Sequence, residues 1–531
     1  MVHIKKNSKT GTPRRSKPPE VRHLAAPIVT HTPLGPIAGT RDEAGTIAWR
    51  GLRYAVASRW EVPHERGPWR NVVNATSFAP SCPQASGIES SGEQSEDCLA
   101  VNVWWPAGAM PNSSIVFIHG GSFEVGSIAP MYNGSFFYDG ARLAAQQHVV
   151  VATMQYRLGA LGWLGRAGGN LGLMDQTTAL RFLRKLLGVG VSRTLLFGQS
   201  AGSMSVCAHL TAAGAGAETL FDAAAMMSGV CQAKPMSDAY EQADAFAQAA
   251  GCASRGRWSD SSLRCLRELS AGAVIDAQRR TRAPLRSSFL PWGPTVDGGN
   301  GTLPLNPATA AKRGELAKVP VIVGNTANES FWAFVYPGGI VSPDRPLGHL
   351  EYAAFVAAIC ASSLRLCRLS DTPRILRRYP CADNDCLPTF TRLFQDAFGD
   401  CSTARTARHL SAGLRAFAYE WRWRSSCAST AAFFPPSWGA YHTSDMPFVF
   451  EPFANCSRTP EGEALSSAWG SFLSGLLTRG LPDHRWPPVA TYQPKRMVLG
   501  NYGEPAAEPW LSVANAPTAD CGFWDELSWT L

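Results

Sequence analysis

Short apolar runs of the strand type alternate along the chain with longer stretches of helical periodicity. The strand-like runs are Val101–Trp105, Ile115–Ile118, Val149–Met154, Leu195–Phe197 and Val319–Val323. The helix-like stretches are Met174–Leu187, Ser237–Ala250, Leu350–Ser363 and Gly462–Leu477. Continuous apolar runs bounded by Gly, Pro and Asn are typical of strands that are buried on both faces. The alternation therefore predicts an α/β fold in which helices cover both faces of a large, mostly parallel central sheet.

The positive charge of the chain is concentrated at its start. Residues 1–24 carry seven Lys or Arg against one Glu, which gives +6 of the formal net charge of +8. We predict a disordered basic tail at 1–26, with a nuclear address or a nucleic-acid-binding arm as the alternative, followed by a single domain at 27–531. Because the rest of the chain is nearly neutral, we expect its body not to bind nucleic acid. The sequence contains no run of 18 apolar residues, so we predict no transmembrane segment.

Cysteines and glycosylation sequons favour an oxidising compartment, whereas the N-terminus does not. The chain has 14 Cys, more than is typical of a cytosolic enzyme. Sequons of the form Asn-x-Ser/Thr lie at Asn74, Asn112, Asn133, Asn300, Asn328 and Asn455. No apolar segment follows the basic start, so no secretory signal peptide is recognised. We expect the secretory pathway or the extracellular space, with the cytoplasm as the alternative. Since no Cys or His group has zinc-ligand spacing, we expect no metal site.

A nucleophile motif follows the apolar run Leu195–Phe197. The segment Gly198–Gly202 reads Gly-Gln-Ser-Ala-Gly and leads into a run that can form a helix. In such a strand–turn–helix arrangement a sharp turn lifts the serine hydroxyl clear of the sheet, and the helix N-terminus directs amide groups towards it. The pattern predicts Ser200 as a nucleophile, and a plain Gly/Ser turn is the alternative.

A second glycine segment follows the strand-like run Ile115–Ile118. The sequence His119–Phe123 reads His-Gly-Gly-Ser-Phe, so side chains do not screen its backbone amides. Such amides can bind the oxyanion that forms when an ester carbonyl is attacked. The segment predicts an oxyanion-binding loop, and a tight glycine turn is the alternative.

Further blocks along the chain carry a family resemblance. They are Trp49–Ala55, Glu96–Val103, Tyr156–Gly159, Gly169–Gln176 and Cys521–Asp525. Together with the two glycine segments, they resemble the type-B carboxylesterases, the cholinesterase-like family of the α/β-hydrolases. The resemblance covers about residues 28–526. It implies the α/β-hydrolase fold and hydrolysis of a small-molecule carboxylic ester through an acyl-enzyme, without a cofactor.

The resemblance also implies a catalytic triad of Ser200, Glu329 and His442. Glu329 ends a Gly-x-x-x-x-Glu segment that starts at Gly324, and His442 lies in a Gly-x-x-His-x-x-Asp-x-Pro segment that starts at Gly439. Their order along the chain, Ser, Glu and then His, is the order expected of an α/β-hydrolase.

Other roles come from the same resemblance. Gly121, Ser122 and Ala201 are implied to donate the oxyanion amides, and Gly120 to keep the turn open. The implied disulfides are Cys82–Cys98 and Cys252–Cys265. We expect Cys207, in the apolar run after Ser200, to be a buried thiol.

The sequence departs from the family in two places that concern function. Gln199 stands where the family has Glu, and the loop Cys82–Cys98 contains no Trp. An aromatic face attracts a quaternary ammonium, so choline esters are not expected as substrates. A catalytically silent adhesion or ligand-binding protein and an interfacial lipase remain as alternatives. The sequence leaves the oligomeric state and the ester substrate open.

Overall fold

A computed structural model gives the structure of the chain between residues 27 and 527. Within this range it does not describe residues 43, 86–92, 133–134, 255, 282–289, 299–300, 331–344, 362–366, 424–438, 451–459, 491–494, 501–510 and 516–518. The predicted basic tail at 1–26 and the sequons at Asn133, Asn300 and Asn455 therefore lie outside the described residues.

The strands of the described residues are numbered in chain order. They are β1 Ile28–Thr32, β2 Gly35–Arg41, β3 Ile47–Arg53, β4 Ala55–Val56, β5 His64–Glu65, β6 Val73–Asn74, β7 Ala100–Trp105, β8 Ser113–Ile118, β9 Met131–Tyr132, β10 Ser135–Phe136, β11 Val150–Met154, β12 Arg193–Gln199, β13 Ala223–Met227, β14 Lys234–Pro235, β15 Thr295–Val296, β16 Val321–Thr326, β17 Ala416–Trp421, β18 Lys495–Leu499 and β19 Leu511–Asn515.

One large sheet organises the described part of the chain. Its order is β1-β2-β3-β7-β11-β8-β12-β13-β16-β17-β18-β19, and β6 lies beside β2. From β11 to β18 neighbouring strands are parallel, whereas β1-β2-β3-β7-β11 and β18-β19 pair antiparallel. The sheet is therefore mostly parallel at its centre, as predicted, and antiparallel at its edges.

Helices connect these strands. In the described residues the α-helices are α1 Ala141–Gln147, α2 Gly159–Trp163, α3 Leu171–Leu187, α4 Ala201–Gly214, α5 Met236–Ala249, α6 Ser262–Glu268, α7 Ala271–Arg280, α8 Pro307–Arg313, α9 His349–Ala361, α10 Thr372–Arg378, α11 Leu387–Phe394, α12 Cys401–Ser411, α13 Met446–Phe450, α14 Pro460–Arg479 and α15 Ala519–Glu526. Short 3₁₀ helices cover Gly165–Ala167 and Leu369–Asp371, and a π-helix covers Gln395–Asp400. No helix among the described residues has both the length and the apolarity needed to span a membrane.

Two apolar cores lie on opposite faces of the sheet. Along β8, Val116 and Ile118 belong to one core, and the alternate residues Ile115 and Phe117 belong to the other. Helices α3 and α4 contribute to the first core, and α1, α13 and α14 contribute to the second. Because both faces of the central strands are buried, these strands read as unbroken apolar runs in the sequence. The predicted α/β class is confirmed.

The cysteines pair extensively. The described pairs are Cys82–Cys98, Cys207–Cys231, Cys252–Cys265, Cys360–Cys367, Cys381–Cys386 and Cys401–Cys521. The prediction of a buried thiol at Cys207 is wrong. Cys231 follows β13, which lies beside the strand before α4, so the two Cα atoms are 5.5 Å apart. Six disulfides indicate that the chain matures in an oxidising environment.

Candidate active site

Ser200 lies in a tight turn between β12 and α4. Its backbone has φ of 58° and ψ of −122°, a conformation that L-residues rarely adopt. The glycines on either side are required by close approaches. A Cβ on Gly202 would lie 2.0 Å from the Ile118 carbonyl oxygen, and one on Gly198 would lie 2.3 Å from the Gly202 carbonyl. The turn therefore depends on both glycines of the motif.

The segment after β8 lies beside this turn because β8 and β12 are parallel neighbours. Their register pairs Ile118 with Gly198, so both strands end at the same level of the sheet. Gly121 and Ser122 have φ of 102° and 56°, which turns the chain back over the serine. A Cβ on Gly120 would lie 2.9 Å from the Ser200 Cβ. The two glycine segments predicted from the sequence thus come together.

Two backbone amides at this junction have no hydrogen-bond partner among the described residues. In the part of the chain that the structure describes, neither the Gly121 amide nor the Ala201 amide donates a hydrogen bond. Ala201 begins α4, where backbone NH groups have no partner within the helix and carry partial positive charge. Such groups are suited to bind a developing negative charge.

His119, at the start of the glycine segment after β8, is held in place by Tyr156. Its buried ring stacks on Tyr156, with ring centroids 4.5 Å apart, and Tyr156 donates a 2.8 Å hydrogen bond to the His119 carbonyl. Burial lowers the pKa of His119 to about 4. The ring is therefore neutral at pH 7 and adds no charge beside the serine.

Glu329 and His442 meet through two loop segments that pair with each other. The amide of Asn328 donates to the Ala440 carbonyl at 2.9 Å, and the amide of His442 donates to the Asn328 carbonyl at 3.0 Å. This pairing brings the Glu329 carboxylate against His442 Nδ1 in a short hydrogen bond. The second segment was recognisable in the sequence only by its family pattern.

The charge state of Glu329 follows from its surroundings. Burial alone would raise its pKa, but the electrostatic attraction and the hydrogen bond of His442, with the Thr326 amide 2.7 Å from Oε1, outweigh burial and hold the pKa below its ordinary value. Gln395 accepts a 2.7 Å hydrogen bond from the Glu329 amide and so fixes the backbone there. Glu329 is therefore a buried, ionised carboxylate.

Gln199 occupies the other side of the imidazole. Its amide nitrogen lies 3.1 Å from His442 Nε2. Because an amide NH₂ group only donates, this contact requires an unprotonated Nε2 and therefore a proton on Nδ1, facing Glu329. Among the described contacts no hydrogen bond joins Ser200 Oγ to His442, although both residues line the same pocket.

The pocket is lined by most of the predicted residues, without Gly120 and Gly121, and by several that sequence reasoning missed. Ser200, Glu329, His442, Ser122 and Ala201 line it. Its other walls are Met204, Ser228, Gly229, Val230, Leu290, Phe394 and Phe398. The space inside the pocket and its open mouth is about 490 Å³. It is mostly apolar, which suits a small ester rather than a charged ligand.

Asp445 is a further buried carboxyl beside the triad candidates. It is fully buried and accepts a 3.0 Å hydrogen bond from the Tyr419 hydroxyl on Oδ2. Burial raises its pKa to about 6, and the nearby Glu329 adds to this effect. The sequence placed Asp445 in the histidine segment but assigned it no role.

One group among the described residues has the composition of a metal site. His349, Cys381 and Cys386 have ligand atoms within 4.8 Å of one another. Cys381 and Cys386 form a disulfide, so their sulfurs are not available as thiolate ligands. None of the three lines the Ser200 pocket.

Comparison with known proteins gives this geometry a family. Residues 26–520 match the model of the carboxylesterase family. Para-nitrobenzyl esterase of Bacillus subtilis is 29% identical over 476 residues, covering 84% of this chain and 89% of the relative. Acetylcholinesterase of Bungarus fasciatus is 26% identical over 502 residues, covering 87% of this chain and 79% of the relative. A solved PNB esterase structure superposes with a TM-score of 0.76 at 27% identity, covering 93% of this chain and 99% of that one. The chain therefore belongs to the carboxylesterase family, as a type-B member with the α/β-hydrolase fold, and it is a carboxylic ester hydrolase.

Proposed function

We propose that the protein cleaves esters through an acyl-enzyme on Ser200, with His442 as the general base and Glu329 as its orienting carboxylate. The observation that carries this proposal is the hydrogen bond between Glu329 and His442 Nδ1 inside the pocket that Ser200 also lines. It leaves Nε2 as the basic atom of the imidazole.

The proton moves in two half-reactions. Ser200 Oγ bonds to the ester carbonyl carbon while Nε2 takes its proton, and Nε2 then returns that proton to the departing alcohol oxygen as the C–O bond breaks. Water next attacks the acyl-enzyme, again giving its proton to Nε2, which passes it to Ser200 Oγ as the acid leaves. Glu329 stays ionised and stabilises the imidazolium in both steps.

Substrate binding has to change the hydrogen-bond partner of His442 Nε2. In the resting protein the Gln199 amide, rather than Ser200 Oγ, is hydrogen-bonded to Nε2. Catalytic hydrogen bonds are often long or misaligned before substrate binds and tighten in the complex. We propose that entry of the ester is accompanied by release of the Gln199 contact and a small rotation of Ser200 towards Nε2, because the one lone pair of Nε2 accepts a single hydrogen bond at a time.

The oxyanion is assigned to backbone amides. We propose that Gly121, Ser122 and Ala201 donate to it and that Gly120 provides the room. Losing one such donor removes about 3–4 kcal/mol of transition-state stabilisation. No step needs a metal or an organic cofactor.

Substrate and compartment follow from the same features. The apolar walls and modest volume of the pocket favour uncharged esters of short to medium acyl chain length. The disulfides and sequons favour a secretory or extracellular location. The Asn328 side chain accepts a 3.2 Å hydrogen bond from the Ser330 amide beside Glu329, and a glycan there would obstruct the pocket, so we propose that this sequon carries no glycan.

The test is active-site labelling with a fluorophosphonate, combined with turnover of p-nitrophenyl butyrate. We expect the probe to label the wild type at Ser200, and Ser200→Ala to lose labelling and at least about 10⁴-fold of kcat. Ser203→Ala is the matched control, because it removes a buried hydroxyl from α4, the helix that follows Ser200, outside the pocket. A folded wild type that neither labels nor hydrolyses the ester would indicate a catalytically silent protein.

A further inference from the structure

Leu290 is a pocket wall in an unfavourable backbone conformation. Its side chain lines the Ser200 pocket, and its φ is 57°, in the left-handed region that bulky residues avoid. Such a conformation persists only where the surrounding structure imposes it. The residues that follow it are firmly packed. Trp292 is buried with its ring 5.8 Å from that of Phe246, and a Cβ on Gly293 would lie 2.9 Å from the Phe123 ring.

A buried lysine holds the backbone at this wall. The Lys234 side chain donates from Nζ to the Leu290 carbonyl at 3.3 Å and to the Pro291 carbonyl. The backbone amide of Lys234 donates to the Pro294 carbonyl at 3.0 Å. Lys234 is therefore hydrogen-bonded to the segment 290–294 through both its side chain and its backbone. A lysine is rarely buried unless its ammonium is hydrogen-bonded, and here the partners that bind it belong to the pocket wall.

We propose that Lys234 is a positioning residue for substrate selection, whose ammonium keeps Leu290 in its left-handed conformation and thereby limits the size of the ester group that enters the pocket. This inference rests on the proposed function of the Ser200 pocket. It adds a residue that lies outside the reacting groups and acts on the substrate only through Leu290.

The charge of Lys234 makes the wall sensitive to pH. Burial lowers its pKa to about 8, and the carboxylates of Asp238 on α5 and Glu124 after β8 partly counter this effect. Above pH 8 the ammonium becomes a neutral amine, which is a weaker donor to the two carbonyls. The wall should therefore loosen between pH 7 and pH 9.

The experiment measures a selectivity ratio, defined as kcat/KM for a bulky ester divided by kcat/KM for the smallest ester of the same series. The acyl series runs from p-nitrophenyl acetate, the reference, to the pivalate and the octanoate. The alcohol series runs from methyl acetate, the reference, to tert-butyl acetate. Titration of the triad affects both members of a pair and cancels in the ratio. Because one methylene of pocket space changes kcat/KM by about 10- to 200-fold, we expect Lys234→Met to raise the ratio about tenfold in one series at pH 7.

Two further variants separate positioning from folding. Leu290→Gly removes the wall and suits a positive φ, so it should raise the same ratio, and adding Lys234→Met to it should change nothing more. Lys318→Met is the matched control, because Lys318 also donates to a backbone carbonyl, that of Gly314, but on the exposed surface. It should leave the ratio unchanged.

The pH dependence of the selectivity ratio distinguishes a positioning lysine from one that only stabilises the fold, because the second kind would leave the ratio independent of pH. The wild-type ratio should rise from pH 7 to pH 9 towards that of Lys234→Met, whose ratio should stay flat. Fluorophosphonate titration counts active sites in every sample. A wild type that does not label overturns both the proposed function and this inference. Full labelling with the same ratios in wild type, Lys234→Met and Leu290→Gly overturns the inference alone.

Discussion

Replacing the buried Asp445 by Asn should change how the stability of the protein depends on pH. The Asp445 carboxyl is fully buried, and its pKa is raised from 3.8 to about 6, first by burial and then by the nearby Glu329, against the opposing effects of Tyr419 and His442. The folded protein therefore holds this proton more tightly than the unfolded chain. Stability is lost as the pH rises from about 4 to about 6, because ionisation is then easier in the unfolded state.

The size of the effect follows from the two pKa values. At about 1.36 kcal/mol for each pH unit, a rise from 3.8 to about 6 corresponds to about 3 kcal/mol in total. About 2 kcal/mol of this falls between pH 4.5 and pH 7.5. For a chain of 531 residues, an unfolding entropy of about 2 cal/mol/K per residue converts that energy into about 2 °C of Tm.

The assay is thermal unfolding of the wild type and Asp445→Asn at pH 4.5 and 7.5. Asn keeps an acceptor for the Tyr419 hydroxyl but places an NH₂ group where Oδ1 has no hydrogen-bond partner among the described residues. That cost is the same at both pH values. We expect the Tm difference, variant minus wild type, to be about 2 °C larger at pH 7.5. An equal difference at both pH values would refute the assignment of a raised pKa to Asp445.

Two other substitutions test the serine turn. Gln199→Glu puts a carboxylate beside His442 Nε2 and favours the protonated imidazole, so the acidic limb of kcat/KM for p-nitrophenyl acetate should move up by about one pH unit; an unmoved limb would contradict this contact. Gly202→Ala places a Cβ 2.0 Å from the Ile118 oxygen, so Tm should fall by several degrees and kcat/KM by about 100-fold. Gly67→Ala, with open space around it, is the control and should match the wild type.

The central strands could be predicted from the sequence because strands that are buried on both faces contain short continuous runs of apolar residues. β8 and β11 are apolar along most of their length, β12 carries the apolar run Leu195–Phe197, and each predicted run falls within or beside its strand. β16 begins at Val321 rather than Val319. β13 reads Ala-Ala-Ala-Met-Met, a composition that favours helix, and it was not predicted. Its pairing with β12 and β16 overrides that preference.

Some residues of the site could likewise be predicted from the sequence, and others could not. The turns at Gly120 and Ser200 are formed by short continuous segments, so their sequences predict them. The family pattern predicted Glu329 and His442. The walls Phe394 and Phe398 carry no local signal. They lie in the pocket because a π-helix follows α11 and stacks their rings 4.2 Å apart. The Cys207–Cys231 pair depends likewise on strand neighbours that only the folded sheet defines.

The proposed nucleophile and the walls of the pocket belong to different parts of the architecture. Ser200 and the amides beside Gly120 are fixed by the register of two adjacent inner strands, whereas Leu290, Phe394 and Phe398 come from connections beyond the sheet. A combinatorial library at these three wall positions can therefore change which compounds are accepted while leaving the Ser200 turn in place. Such modularity makes the scaffold a candidate for directed evolution towards new substrates.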